Sequence, residues 1–287
     1  MIQAKMHDGN RIEIDVAGEG PSLLLPVNTQ KIEGAQAEEM MKWGVDPALG
    51  RSFVDGLRDS YRVIAFDYEG HVFKHAKPDT LTPANIAADF IAIANTAEAD
   101  TFAYYGYSWL ALSGMQLAIR TNRLSGLIMG GYPPIDGPYE AMLAVTQATY
   151  DMSLTPKTTS NVKTAEPWGG SPDDVDWSQV EVTMNAEQTR QFVTLYESLR
   201  TFDDRAAQSL IACPKLCFAG TADKIAYSPK WGGVLVDIIS PLIDRRHELE
   251  AYGWDVAVLE GLDHTQAMQA SNVLPILRPW LDRNVSV

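Results

Sequence analysis

The feature that most constrains this chain is a rhythm of short apolar runs separated by stretches with helical periodicity. Residues 11–17 alternate apolar and polar, the pattern of a half-buried strand. Leu23-Leu24-Leu25, closed by Pro26, is a short apolar run suited to a strand covered on both faces. Residues 62–67, 102–105, 127–129, 215–219 and 255–259 read the same way. Between them, residues 83–98 set Ile86, Phe90, Ile93 and Ala97 on one helical stripe, and residues 109–121 are apolar almost all round. A terminal helix is expected over 265–283, kinked or split by Pro275 and Pro279. Strands alternating with helices predict an α/β fold with a mostly parallel central sheet and helices on both faces.

One stretch breaks the rhythm. About eighty residues without a strand signal lie between 134 and 212, with helices expected near 138–151, 186–200 and 203–211. A looser segment rich in Thr, Pro, Gly and Asp fills 155–178. A connection of that length needs a reason. The organisation predicted is a core of 1–133 and 213–287, with 134–212 a helical insertion over one sheet edge.

Charge limits the partners. A net charge of -14 disfavours phosphate backbones, so nucleic acid is not expected. No apolar run is long enough to span a bilayer, and the N-terminus lacks a signal peptide's apolar stretch, so a cytoplasmic protein without a membrane partner is expected. Cys213 and Cys217 sit four apart on an expected strand, about 13 Å at a strand's rise, too far for a disulfide. Buried thiols are predicted. No Cys/His set has zinc spacing, so no metal is expected.

The chemistry concentrates in Gly106-Tyr107-Ser108-Trp109-Leu110, where a strand runs straight into an apolar helix. Such a turn pushes its central residue into a strained, exposed position and aims the helix N-terminus at it. A serine there is positioned as a nucleophile, but it needs a base. His7, His75 and His247 lie in charged surroundings and read as surface residues; His71 follows a strand in a turn. His264, in Gly261-Leu262-Asp263-His264, falls after the last strand, at the sheet edge expected to carry Ser108. Two carboxylates could orient it: Asp223, after Gly220-Thr221-Ala222, and Asp136, after Pro133-Pro134-Ile135. Asp223 is favoured because the double proline extends the chain away from the edge.

Taken together, Ser108, Asp223 and His264 each follow a different strand, in that order. On these residues the chain resembles the α/β-hydrolase family over nearly its whole length. Gly106-Tyr107-Ser108-Trp109 is similar to the family's Gly-x-Ser-x-Gly nucleophile elbow, Gly220-Thr221-Ala222-Asp223 to its Gly-x-x-Asp, and Gly261-Leu262-Asp263-His264 to its Gly-x-x-His. Asp67-Tyr68-Glu69-Gly70-His71 resembles its Asp-x-Arg-Gly-His turn, and 134–212 falls where the family carries a cap. The resemblance implies an acyl-enzyme serine hydrolase acting on a small carboxylic ester, with no cofactor. Carbon–carbon bond, lactone or thioester hydrolysis would use the same triad, and a non-catalytic ligand receptor is the reading from another class. Epoxide hydrolase and haloalkane dehalogenase chemistry is disfavoured, because those use Asp where this chain has Ser108. Two departures bear on the oxyanion pocket. Leu110 replaces the elbow's second glycine, and Pro26-Val27-Asn28 stands where His-Gly is usual. Proline has no N–H, so Val27 or Asn28 is left to donate beside Trp109. Trp109, Trp168, Trp177, Tyr132 and Tyr107 are candidate pocket residues, and Tyr139, Tyr150 and Trp168 are expected to rank substrates.

Overall fold

A computed structural model describes residues 2–155 and 182–285. The chain enters through β1 (Ile2–Lys5), β2 (Arg11–Ala17) and β3 (Ser22–Leu25), then α1 (Ala35–Lys42) and α2 (Leu49–Leu57). There follow β4 (Arg62–Ala65), α3 (Tyr68–Lys74), α4 (Pro83–Thr96), β5 (Phe102–Tyr107), α5 (Trp109–Ala118) and β6 (Leu124–Gly130). Next come α6 (Tyr139–Leu154), α7 (Ala186–Glu197), α8 (Asp204–Ala207) and β7 (Lys215–Gly220). A small hairpin, β8 (Lys224–Ala226) and β9 (Leu235–Asp237), precedes α9 (Ile239–Asp244) and α10 (Arg246–Ala251). The chain closes on β10 (Trp254–Leu259), α11 (His264–Ala267) and α12 (Ala270–Asn284).

Eight strands form one sheet in the order β1-β2-β4-β3-β5-β6-β7-β10. From β4 onward every pairing is parallel, while β2 runs against both of its neighbours. Alternation along each strand feeds two cores, as a sheet covered on both faces requires. Leu24 and Tyr104 pack with Phe90, Leu112 and Met115 on one face. Leu23, Leu25 and Tyr105 pack with Phe53, Val273 and Leu277 on the other.

Most of the strands and helices read from the sequence stand where expected, with ends shifted by a few residues. Helix α4 starts at Thr82, whose hydroxyl accepts from Asn85 N–H at 3.3 Å, with Pro83 in the first turn. Helix α5 buries every residue from Leu110 to Ala118.

Four expectations change. The terminal helix breaks at Met268-Gln269, not at its prolines. Pro275 and Pro279 share the exposed face of α12, and burial of Val273, Leu277, Trp280 and Leu281 holds the helix despite the lost backbone bonds. Cys217 is fully buried, but Cys213 precedes β7 and is only half-buried; both are free thiols. His7 is not a plain surface residue: its ring Nδ1 lies 2.9 Å from the buried Asp89 carboxylate. The Asp67–His71 turn is the start of helix α3, capped by Asp67, and His71 within it is buried. Strand β1, the β8–β9 hairpin and helices α1, α2, α9 and α10 had no reading in the sequence. Among the described residues no helix is long and apolar enough to cross a membrane.

Candidate active site

Ser108 sits between β5 and α5 with φ 57° and ψ -130°, backbone angles that an L-residue adopts only under strain. Its own N–H is held by Gly130 O at 2.8 Å, which ties the turn to β6. The turn is crowded. A Cβ on Gly106 would lie 2.5 Å from Leu110 O, and a Cβ on Gly114 would lie 2.4 Å from the Tyr104 ring. Gly106 and Gly114 thus bring helix and strand together, and Tyr104 OH donates to Leu110 O at 2.7 Å. A leucine at 110 is accommodated because the close approach is made on either side of it.

The carboxylate that meets His264 is Asp223. Its two oxygens lie 3.0 and 2.9 Å from His264 Nδ1, and Asp223 is fully buried. The two loops that carry the pair are stitched together. Thr221 N–H donates to Leu259 O, Ala222 N–H to Leu262 O, and Gly261 N–H to the Thr221 hydroxyl, at 2.9, 3.0 and 2.7 Å. Asp263 caps α11 through Gln266 N–H, so His264 is fixed in the first helical turn. Tyr107 OH donates to His264 O at 2.8 Å, with the two rings 5.0 Å apart. Burial, and next the Asp223 charge, push the Tyr107 phenol far up, so it stays a donor.

Asp136, the other acid considered, is not at the site. It takes a left-handed φ of 56° and binds Arg245 Nε at 2.7 Å and the Arg205 guanidinium at 3.3 Å on the surface. The Pro133-Pro134 segment carries it away from His264, as the chain stiffness of that dipeptide suggests.

Ser108, Trp109, Val27, Asn28 and His264 all line one cavity of about 380 Å³. Among the described residues no hydrogen bond joins Ser108 to His264. Of the two expected loop donors, Val27 N–H is given to Leu25 O at 2.9 Å. Asn28 N–H makes no backbone hydrogen bond among the described residues. The loop is pinned by Gly50, where a Cβ would stand 2.0 Å from Asn28 O. Trp109 N–H opens α5, where the first turn has no acceptor within the helix.

Two parts of the cavity had no reading in the sequence. Its apolar wall comes from the segment before β4, with Ile32, Met40, Val45 and Leu49. Glu69 also lines it and accepts from Trp109 Nε1–H at 3.0 Å. Surrounding protein atoms raise the Glu69 carboxyl above its ordinary range, the Trp109 hydrogen bond pulls it back, and the Asp67 charge raises it further. The signal was available, since Glu69 stands where the quoted motif carries Arg. Tyr132 and Tyr139 pack on each other at 5.9 Å, and Tyr150 lies under Arg190 at 5.6 Å; none of the three lines the cavity. Trp168 and Trp177 lie outside the described residues.

No protein-family model matches the chain, and no curated protein is similar to it in sequence. Solved structures are similar in fold. A thermophilic esterase from Thermogutta terrifontis is 17% identical with a TM-score of 0.57, over 98% of this chain and 97% of that one. An enol-lactonase from Burkholderia xenovorans LB400 is 16% identical with a TM-score of 0.57, over 98% and 99%. An esterase from a Rhodococcus species is 18% identical with a TM-score of 0.56, over 98% of each chain.

Proposed function

Because this chain has the α/β-hydrolase fold, we propose that it is a serine hydrolase of small carboxylic esters, with Ser108, His264 and Asp223 as its triad. The observation that carries this reading is that strained Ser108 opens on the same cavity as a histidine held through Nδ1 by a buried carboxylate.

The chemistry follows from that arrangement. With Nδ1–H donated to Asp223, Nε2 is the basic nitrogen. Ser108 Oγ bonds to the ester carbonyl carbon while Nε2 takes the hydroxyl proton and the carbonyl π pair moves onto oxygen. Asn28 and Trp109 N–H groups hold that oxyanion, helped by the positive end of α5. Collapse breaks the bond to the alcohol oxygen, which leaves with the proton from Nε2. Water, deprotonated by the same nitrogen, then attacks the acyl carbon; collapse breaks the bond to Ser108 Oγ, which takes the proton back from Nε2, and the carboxylic acid leaves.

The stretch 134–212 acts in this reading as a cap. In support, α7 docks beside the elbow: Phe192 meets Trp109 edge-on at 5.5 Å, and Gln188 and Gln191 donate to Phe73 O and Val72 O at 2.7 and 3.2 Å.

A fluorophosphonate, which phosphorylates activated serines, tests the proposal together with a panel of 4-nitrophenyl esters of graded acyl length. Label on Ser108 by peptide mapping, with label and turnover both lost in Ser108→Ala, is expected. Labelling or hydrolysis that survives Ser108→Ala overturns it.

A further inference from the structure

The charge inside the cavity is one-sided. Three carboxylates line it, Asp46, Asp67 and Glu69, and among the described residues no Lys or Arg does. Two of the three are occupied by the fold. Asp67 Oδ1 accepts from Gly70 N–H at 2.8 Å, closing the start of α3. Asp46 takes Ala48 N–H and the Ser52 hydroxyl, at 2.8 and 2.5 Å. Glu69 differs. Its Oε1 receives the Trp109 indole N–H, and its Oε2 accepts no hydrogen bond among the described residues. The residue is exposed and lines the cavity.

Its place is specific. Glu69 sits in the first turn of α3, just after β4, and among the described residues its side chain pairs with that of the residue that follows Ser108. The same cavity has an apolar lining from Ile32, Met40, Val45 and Leu49. A ligand that fills such a space meets both apolar contact and an unneutralised carboxylate. A carboxylate without a cation favours a cation brought to it, and the effect grows when water is displaced. An anion in the same place meets Glu69 and the two other carboxylates.

We propose that Glu69 selects esters that carry a cationic ammonium group, held at its free oxygen while the ester carbonyl lies over Ser108. The inference rests on Ser108 as nucleophile. It narrows the substrate class of that site: apolar chain, ester carbonyl, fixed positive charge.

The test uses three 4-nitrophenyl esters of matched length, bearing trimethylammonium, its neutral tert-butyl isostere, or carboxylate at the acyl end. Each variant is read as a ratio of kcat/KM between esters, so a general loss of activity cancels. The full-length protein should prefer the cationic over the neutral ester by about tenfold or more, and the carboxylate ester should be slowest. Glu69→Gln keeps an acceptor for Trp109 and should bring the cationic-to-neutral ratio close to one. A second arm needs no chemistry: calorimetric titration with butyltrimethylammonium should show binding to the unaltered protein that Glu69→Gln loses. The inference is overturned if the unaltered protein shows no cationic preference and no such binding, or if either survives Glu69→Gln. Hydrolysis that persists in Ser108→Ala is the separate result that overturns the hydrolase reading.

Discussion

Gly220 lies directly against the Leu262 backbone: a Cβ on Gly220 would stand 2.0 Å from the Leu262 carbonyl oxygen. The residues concerned head the two loops that carry Asp223 and His264. Their closeness sets the distance between carboxylate and imidazole. Gly220→Ala should therefore force the loops apart, costing roughly 1–3 kcal/mol of stability. Turnover should fall by more than that loss explains, because the Asp223–His264 hydrogen bonds lengthen. Thermal melting measured beside ester hydrolysis checks both; unchanged kinetics would show that the contact does not govern the pair.

The two acids should separate sharply. Asp223→Asn keeps the shape but removes tautomer control, which in a comparable triad costs about ten-thousand-fold in turnover. Asp136→Asn breaks only surface ion pairs with Arg205 and Arg245, worth about 0–1 kcal/mol. Asn also tolerates the left-handed backbone found there. Steady-state kinetics of both variants is the measurement, and the reverse ranking would move the acid to Asp136.

Strain at Ser108 should be visible as stability. Ser108→Ala and Ser108→Gly both remove the hydroxyl, but only glycine occupies φ 57° and ψ -130° without penalty. The glycine variant should melt above the alanine variant by a few degrees, corresponding to roughly 1 kcal/mol or more. Equal melting temperatures, read by calorimetry, would mean that the turn is not strained.

Substrate ranking should respond to the wall before β4. Ile32→Phe and Met40→Ala, which shrink and enlarge the apolar side of the cavity, should shift the preferred acyl length in opposite directions. Tyr139→Phe should leave the ranking as it is, because Tyr139 packs against Tyr132 and Phe202 away from the cavity. Relative kcat/KM across the graded panel decides, and a changed ranking in Tyr139→Phe would return specificity to the 134–212 stretch.

Acid should destabilise the fold through His71. Its ring is buried, Nε2 has no hydrogen-bond partner among the described residues, and its pKa is lowered to about 4, first by burial, then by the charges of Lys77 and His75, with Asp8 and Asp89 opposing. The folded protein thus holds the neutral ring, while the unfolded chain takes up a proton below the ordinary histidine pKa of about 6.5. Stability from this group is whole above that pH and is lost as pH falls from about 6.5 toward 4, by about 3 kcal/mol at most. Denaturant unfolding between those limits should show the slope, and His71→Phe should flatten it.

The sequence by itself determined most strands of the central sheet, several of its helices and the candidate chemistry. Strand runs, the apolar stripe of 83–98 and the Gly106–Ser108 turn are legible because they depend on residues within one turn or one pleat of each other. The order Ser108, Asp223, His264 after three strands is legible for the same reason. The double proline already favoured Asp223 over Asp136; that Asp223 meets His264 while Asp136 pairs with two arginines far away in the chain is visible only in the tertiary structure. It alone engaged the Val27 N–H with Leu25 O, through a backbone hydrogen bond that no side chain announces. It also gave His7 a buried partner 82 residues away and walled the cavity with residues 32–49 rather than with Tyr139 or Tyr150. Propensity and periodicity act along the chain, whereas burial and hydrogen bonding act through space, so pairings between distant segments appear only once the sheet has brought them together.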